Sequence, residues 1–313
     1  MTAAVLSADI LVGPTACGKS AVALLLAAKS RPPRPLLAAD SMTVYRGLDA
    51  GTAKPDAADR ALVPHYGLDL AEPSREFSVG DYLAAVRACA ADLAAGPAPI
   101  VVGGTGLYVK CLTEGLDSAA PSSPEHRAAA EALLAAEGLE ALQAALRRLS
   151  PEQYSRIRDP ENPRRVVRAY ELVASGHGIP VASERPRPWL VGLRREPADL
   201  DARIARRARR MYADGLPEEV RALRALPGGL SETARHAIGY EEAGRLLDGE
   251  ITEEEAIETT IRRTRRYAKR QMTWFRHQAN VDWVDVAPGD SPEKTAGLVQ
   301  RLWNRHGPAA LRP

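Results

Sequence analysis

The chain has 313 residues, 45% of them apolar and only 5% aromatic, and its 42 basic and 40 acidic side chains leave a net charge of +2. That allows one large domain or two ordinary ones, with cores packed mainly from Leu, Val and Ala, and the near balance of charge does not by itself point to a nucleic-acid partner. Three scattered cysteines without a CxxC or Cys/His cluster support neither a disulfide framework nor a zinc site; the longest apolar run, about residues 21–28, is too short for a membrane span, and with no secretory leader evident we expect a cytoplasmic protein.

The apolar run Ala8–Val12 predicts a buried strand, and the Ala- and Leu-rich run Ala21–Lys29 predicts a helix. Between them, Gly13-Pro14-Thr15-Ala16-Cys17-Gly18-Lys19-Ser20 fits G-x-x-x-x-G-K-[ST], a loop whose amides cradle a di- or triphosphate. Lys19 would add a point charge at the outer phosphate, and the Ser20 hydroxyl could bind Mg²⁺. The loop does not say what the phosphate is attached to, so ATP stays open. A second strand, Pro35–Ala39, ends at Asp40. Asp40 has three readings: a water-mediated Mg²⁺ acid, a general base, or a cap on a following helix.

Helical periodicity runs through Val79–Ala95, and a third strand, Pro99–Val102, leads into Gly103-Gly104-Thr105-Gly106-Leu107-Tyr108. Three glycines in four residues allow a close backbone approach, or simply a tight turn. The alternation predicts an α/β fold, a P-loop-type parallel sheet with helices on both faces. Functional groups should then gather at the carboxyl ends of the strands, where Gly13, Asp40 and Gly103 fall.

From Ser118 to Pro188 the pattern becomes purely helical, through His126–Glu137, Leu139–Leu149 and Arg164–Ser175, with Pro121, Pro124, Pro151, Pro160 and Pro163 marking helix starts. We therefore expect a core made of residues 1–117 and 188–313 and an all-helical insertion at 118–187. A strand at Trp189–Leu193 is followed by helices over residues 198–278, a last strand at Val281–Val286 and a loosely held C-terminal dozen. Basic runs at Arg156–Arg168, Arg203–Arg210 and Arg262–Arg276 are either polyanion contacts or solvated helix faces. Within the last, Ile257, Ile261, Thr264, Ala268, Met272 and Phe275 share an apolar face, and Trp274 could stack a base. His65 and His236 are read as structural.

Seven segments together resemble one family: GPTACGKS (13–20), DSMTVYRGLDAGTAKP (40–55), VPHYGLDL (63–70), VVGGTGLYVKCL (101–112), DPENPRRVVRAYEL (159–172), AIGYEE (237–242) and TRRYAKRQMTWFR (264–276). The family is tRNA dimethylallyltransferase, also called tRNA isopentenyltransferase, and the segments occur in its order over nearly the whole chain. The resemblance implies transfer of a dimethylallyl group from dimethylallyl diphosphate to N6 of adenosine 37 in tRNA, by a monomer. Residues 13–20 would then hold the leaving diphosphate, with Mg²⁺ near Ser20, Thr15 near the breaking bond, and an arginine of 203–210, Arg207 by preference, closing over it. It also makes Asp40 the general base, and implies that Asp40, Ser41, Met42, Thr43 and Thr105 hold the flipped base. The insertion would grip an anticodon stem-loop carrying adenosines 36 and 37 through Arg127, Arg164, Arg165, Val166, Val167 and Arg168. Lys269, Arg270, Gln271, Trp274 and Arg276 would follow the RNA backbone.

The chain departs from the family pattern at Cys17 (commonly Ser), Ser20 (often Thr), Thr43 (usually Gln), and Tyr66-Gly67 (a His-Leu pair). Thr43 cannot span the same two-point hydrogen bond to a base, and Cys17, in an electropositive loop, is expected to be alkylation-sensitive. Three rival classes remain: a small-molecule kinase, a nucleotide-gated RNA-binding switch, and a prenyltransferase of free adenine nucleotides. The switch lacks an Asn-Lys-x-Asp guanine motif, and a kinase or a free-nucleotide enzyme needs neither the insertion nor the basic terminal helix.

Overall fold

The computed structural model describes residues 6–116, 123–180 and 187–313, so Pro121, expected to mark a helix start, lies outside the described residues. The chain forms two compact units, Met1–Gly115 with Pro186–Pro313, and Leu116–Arg185.

The first unit is a seven-stranded sheet: β1 Ser7–Val12, β2 Leu36–Ala39, β3 His65–Tyr66, β4 Ile100–Gly103, β5 Trp189–Arg195, β6 Asn280–Val286 and β7 Ala309–Ala310. The order is β3-β2-β4-β1-β5-β6, all parallel, with β7 antiparallel to β1. Alternate residues of each strand enter two cores: Ile10, Val12, Leu37 and Val101 on one face, and Leu11, Leu36, Ile100 and Val191 on the other. That is the reason the strands read as continuous apolar runs. The register pairs Val12 with Gly103 and Gly103 with Ala39. The three loops that follow therefore leave the sheet side by side. Gly103 is required by this closeness, since a Cβ there would sit 2.1 Å from the Ala39 carbonyl oxygen.

Several expectations change. The 79–95 periodicity forms two helices, Val79–Ala88 and Ala90–Ala94, broken at Cys89. The C-terminus is held, not loose. β7 pairs with β1, Leu311 is buried with its N–H on the Leu6 carbonyl (2.7 Å), and the Arg312 N–H bonds the Leu112 carbonyl (2.6 Å). β3 is too short to show any period.

The second unit contains the helices Pro124–Leu149, Pro151–Ser155 and Pro163–Ala174, with the first turned at Gly138 (φ 84°). Its core joins Ala130, Leu142, Leu146, Val166, Val167 and Ala169. Among the described residues no helix is long and apolar enough to cross a membrane.

Candidate active site

Residues 13–18 form the turn between β1 and the helix Lys19–Lys29. Gly13 takes φ +147° where a Cβ would meet the Leu193 carbonyl oxygen at 2.6 Å, and Gly18 caps the helix in the left-handed region. Pro14 is buried, and Lys19, half-buried, donates to the Pro14 carbonyl (3.3 Å). Ser20 is exposed in the first turn of the helix. Ala16 also adopts a positive φ of 63°, uncommon for a residue with a Cβ, and its carbonyl accepts from Arg203 Nε at 2.8 Å.

Two neighbouring arginines complete this grip. Arg195, at the end of β5, donates to the Cys17 carbonyl (2.8 Å) and pairs with Asp199 (2.7 Å). Arg207 donates to Thr15 Oγ1 (3.0 Å) and, through its other nitrogen, to the Thr52 carbonyl (3.0 Å). Thr15 and Arg207, 192 positions apart, thus meet. Burial lowers the pKa of both Arg203 and Arg207; Arg195 pushes Arg203 further in that direction, while the Asp40 carboxylate opposes the shift at Arg207. These are poorly solvated cations at the rim of the loop, a setting that favours an incoming anion.

Asp40 follows β2. Its Oδ1 accepts from the Met42 N–H (2.9 Å), and no helix begins there, which removes the helix-cap reading. The Thr105 hydroxyl accepts from the Ser41 N–H (3.1 Å), fastening the 40s loop to the glycine-rich loop. That loop is more than a tight turn, because it starts the helix Gly106–Glu114. Tyr267 reaches both Thr105 and Gln271, and burial, with Asp40 nearby, raises its pKa so that the phenol keeps its proton. Met42 is partly buried against the core, and the Thr43 hydroxyl bonds the Asp40 carbonyl (3.4 Å) in a nearly buried position.

Beside Ala16 lies a cavity of about 1050 Å³. Arg203, Arg206, Arg207 and Arg210 line one wall, and Asp49, Ala50, residues 53–57, Arg60 and Asp69 line the other. The second wall is braced from several directions. Lys54, its side chain 1% exposed, pairs with Asp49 (2.7 Å) and Asp69 (2.6 Å), and Glu219 accepts from the Asp49 and Ala50 N–H groups (3.0 and 2.8 Å). Tyr240 in turn donates to Glu219 (2.5 Å).

The structure corrects several assignments. Gln271 is buried, and its carboxamide is committed within the protein: Oε1 accepts from the Thr15 N–H (2.8 Å) and Nε2 donates to the Gly104 carbonyl (3.0 Å). It does not face RNA. Val166 and Val167 lie in the core of the helical unit, so their side chains do not either. Cys17 is fully buried, packed among core residues, which removes the expected alkylation sensitivity. The half-buried Trp274 lies against Gly106 and meets Phe275 edge-to-face at 5.1 Å, so packing occupies part of its ring. By contrast, Lys269, Arg270 and Arg276 are exposed, as is Arg164. Arg127 pairs with Glu131 (2.9 Å), Arg165 with Asp159 (3.8 Å) and Arg168 with Glu171 (2.8 Å). His65 bonds the Val63 carbonyl through Nδ1 (2.9 Å), and burial lowers its pKa, consistent with a structural role.

Arg195 carries no sequence motif, and its importance is visible only because β5 runs three residues beyond the Val12–Gly192 pair. Lys54, Glu219 and Tyr240 are likewise brought together by the fold alone.

The model of the IPP transferase family matches residues 43–278. A tRNA dimethylallyltransferase from Anaeromyxobacter dehalogenans is 44% identical over 93% of this chain and 98% of its own. One from Geobacillus thermodenitrificans is 40% identical over 94% of each. Among solved structures, the tRNA isopentenylpyrophosphate transferase of Bacillus halodurans superposes with a TM-score of 0.68 at 36% identity, covering 95% of both chains. A eukaryotic dimethylallyltransferase acting on tRNA shares the fold, with a TM-score of 0.74 at 22% identity over 95% of this chain and 77% of that one. By sequence over most of its length and by architecture, the chain belongs to the IPP transferase family.

Proposed function

We propose that the protein transfers a dimethylallyl group from dimethylallyl diphosphate to N6 of adenosine 37 in tRNA, releasing diphosphate. The observation that carries this reading is the meeting of Thr15, Arg207 and the residue 13–20 loop with Asp40 at one sheet edge, in a chain of this family.

The N6 lone pair attacks carbon 1 of the allylic diphosphate, and the C–O bond breaks with its electron pair going to the diphosphate. Loop amides, Lys19 and Arg207 stabilise the charge growing on the leaving group. The proton displaced from N6 passes to the Asp40 carboxylate, which would otherwise face a cationic nitrogen. Ser20 would give Mg²⁺ a hydroxyl ligand. Among the described residues no group of three His, Cys, Asp or Glu could hold a metal, so the donor set fits a hydrated ion that takes most of its oxygens from water and diphosphate. When bound, the ion supplies further charge neutralisation on the diphosphate.

A base inside a stacked loop is out of reach, so adenosine 37 must be flipped out. Ser41, Met42 and Thr105 border its path, and Arg127, Arg164, Arg165 and Arg168 supply contacts to the anticodon stem-loop from the helical unit. Lys269, Arg270 and Arg276 meet backbone phosphates. The protein acts as a cytoplasmic monomer.

The test is mass spectrometry of an unmodified tRNA with adenosines at 36 and 37, incubated with the protein, Mg²⁺ and dimethylallyl diphosphate but no ATP. One added dimethylallyl group on nucleotide 37 is expected. No gain, with ATP hydrolysed in a parallel reaction, would move the chain to the kinase class and make Asp40 a metal acid.

A further inference from the structure

The helix Glu253–Gln278 carries two opposed sets of residues in a single turn. Lys269 and Arg270 are exposed; Gln271, the next residue, is buried. Its carboxamide spans two loops from different strands, accepting from Thr15 and donating to Gly104. In a phosphate loop the amides ordinarily point toward the anion. Here the Thr15 N–H is taken by Gln271 while its hydroxyl is held by Arg207. Tyr267, one turn earlier, contacts Thr105 and Gln271, and Thr105 holds Ser41. The three loops at the carboxyl edge of the sheet are therefore tied to one turn of one helix.

We infer that Gln271 is a positioning residue that couples occupation of the basic helix by RNA to the shape of the diphosphate loop; this rests on the tRNA reading above. The Gly104 bond is buried and the Thr15 bond half-buried, so water has little room to replace either when the helix moves. Losing one would strand the Thr15 N–H or the Gly104 carbonyl. Phosphates drawn onto Lys269 and Arg270 act on the same turn, and their binding energy reaches the loop through this carboxamide. The coupling is reciprocal, so diphosphate strengthens RNA binding by the same factor.

The experiment titrates inorganic diphosphate with Mg²⁺ by calorimetry onto the free protein and onto protein saturated with an unmodified anticodon stem-loop RNA. In the wild type, RNA should tighten diphosphate binding by about fivefold or more, the lower end of common coupling factors. In Gln271→Met, which keeps volume but not the hydrogen bonds, that factor should fall to within about twofold of unity, with RNA affinity within about threefold of wild type. Gln271→Glu keeps the acceptor for Thr15, opposes an oxygen to the Gly104 carbonyl and should lose part of the factor. It carries the test if the Met variant does not fold. A purely structural role predicts lower thermal stability with the factor intact, and that outcome, or a wild-type factor of one, overturns the inference. A wild type that binds diphosphate but no RNA would sink the tRNA reading itself, and this inference with it.

Discussion

Arg195, Arg203 and Arg207 in the α/β unit each donate a hydrogen bond to one of residues 15–17, whereas Arg127, Arg156 and Arg165 in the helical unit pair with carboxylates four to six residues away on their own surface. The first set is held by long-range contacts in partly buried positions. It fixes the loop and leaves under-solvated charge beside it. The second is solvated and weakly paired, and exposed pairs of this kind contribute about 0–1 kcal/mol each. Such arginines can exchange a carboxylate for a phosphate at little cost. The same residue type thus serves as a rigid frame in one region and forms loose surface pairs in the other.

Substitutions should separate the two. The largest effect is expected from Asp40→Asn, which keeps the shape and the acceptor for the Met42 N–H but removes the base. Transfer should drop by about 10²- to 10⁴-fold in single-turnover assays, with diphosphate affinity within about threefold. Turnover within a few-fold of wild type would mean that Asp40 is not the base. Next is Arg207→Lys. A lysine cannot reach both Thr15 and Thr52 as the guanidinium fork does. The loss of a charged hydrogen bond, about 1.5–3 kcal/mol, should lower kcat/KM by roughly 10- to 150-fold. A near-normal value would remove Arg207 from the frame.

Smaller is Arg165→Ala. It should weaken tRNA binding evenly across sequences and reduce the salt slope by about 1, without touching diphosphate affinity. An unchanged slope takes Arg165 off the contact surface. The smallest effect concerns Cys17. Native protein should show no iodoacetamide labelling at this buried thiol, with or without diphosphate; labelling that diphosphate suppresses would mean the loop opens.

Much of the site was readable because it is local in sequence. The residue 13–20 loop, Asp40 after β2 and the glycines after β4 each sit directly behind an apolar run, and strand periodicity marks where such runs end. The C-terminal pairing of β7 was not readable. Two alanines carry no pattern, and their place depends on Leu6 and Leu112, about two hundred residues or more away. The burial of Gln271 was not readable for the same reason: which residue of a charged helix is buried is decided by what packs over it.

Sequence alone determined the sheet class, the glycine-rich turn at residues 13–18, the helical unit and the family, because those depend on short-range patterns of apolarity, glycine and charge. Tertiary structure decided which of many arginines guard the loop, that Thr15 meets Arg207, and that Gln271 is a bridge and Cys17 a core residue. Hydrogen bonds and burial across 178 to 256 positions of chain leave no periodic trace, since they arise only when separate strands bring their carboxyl ends to a common edge.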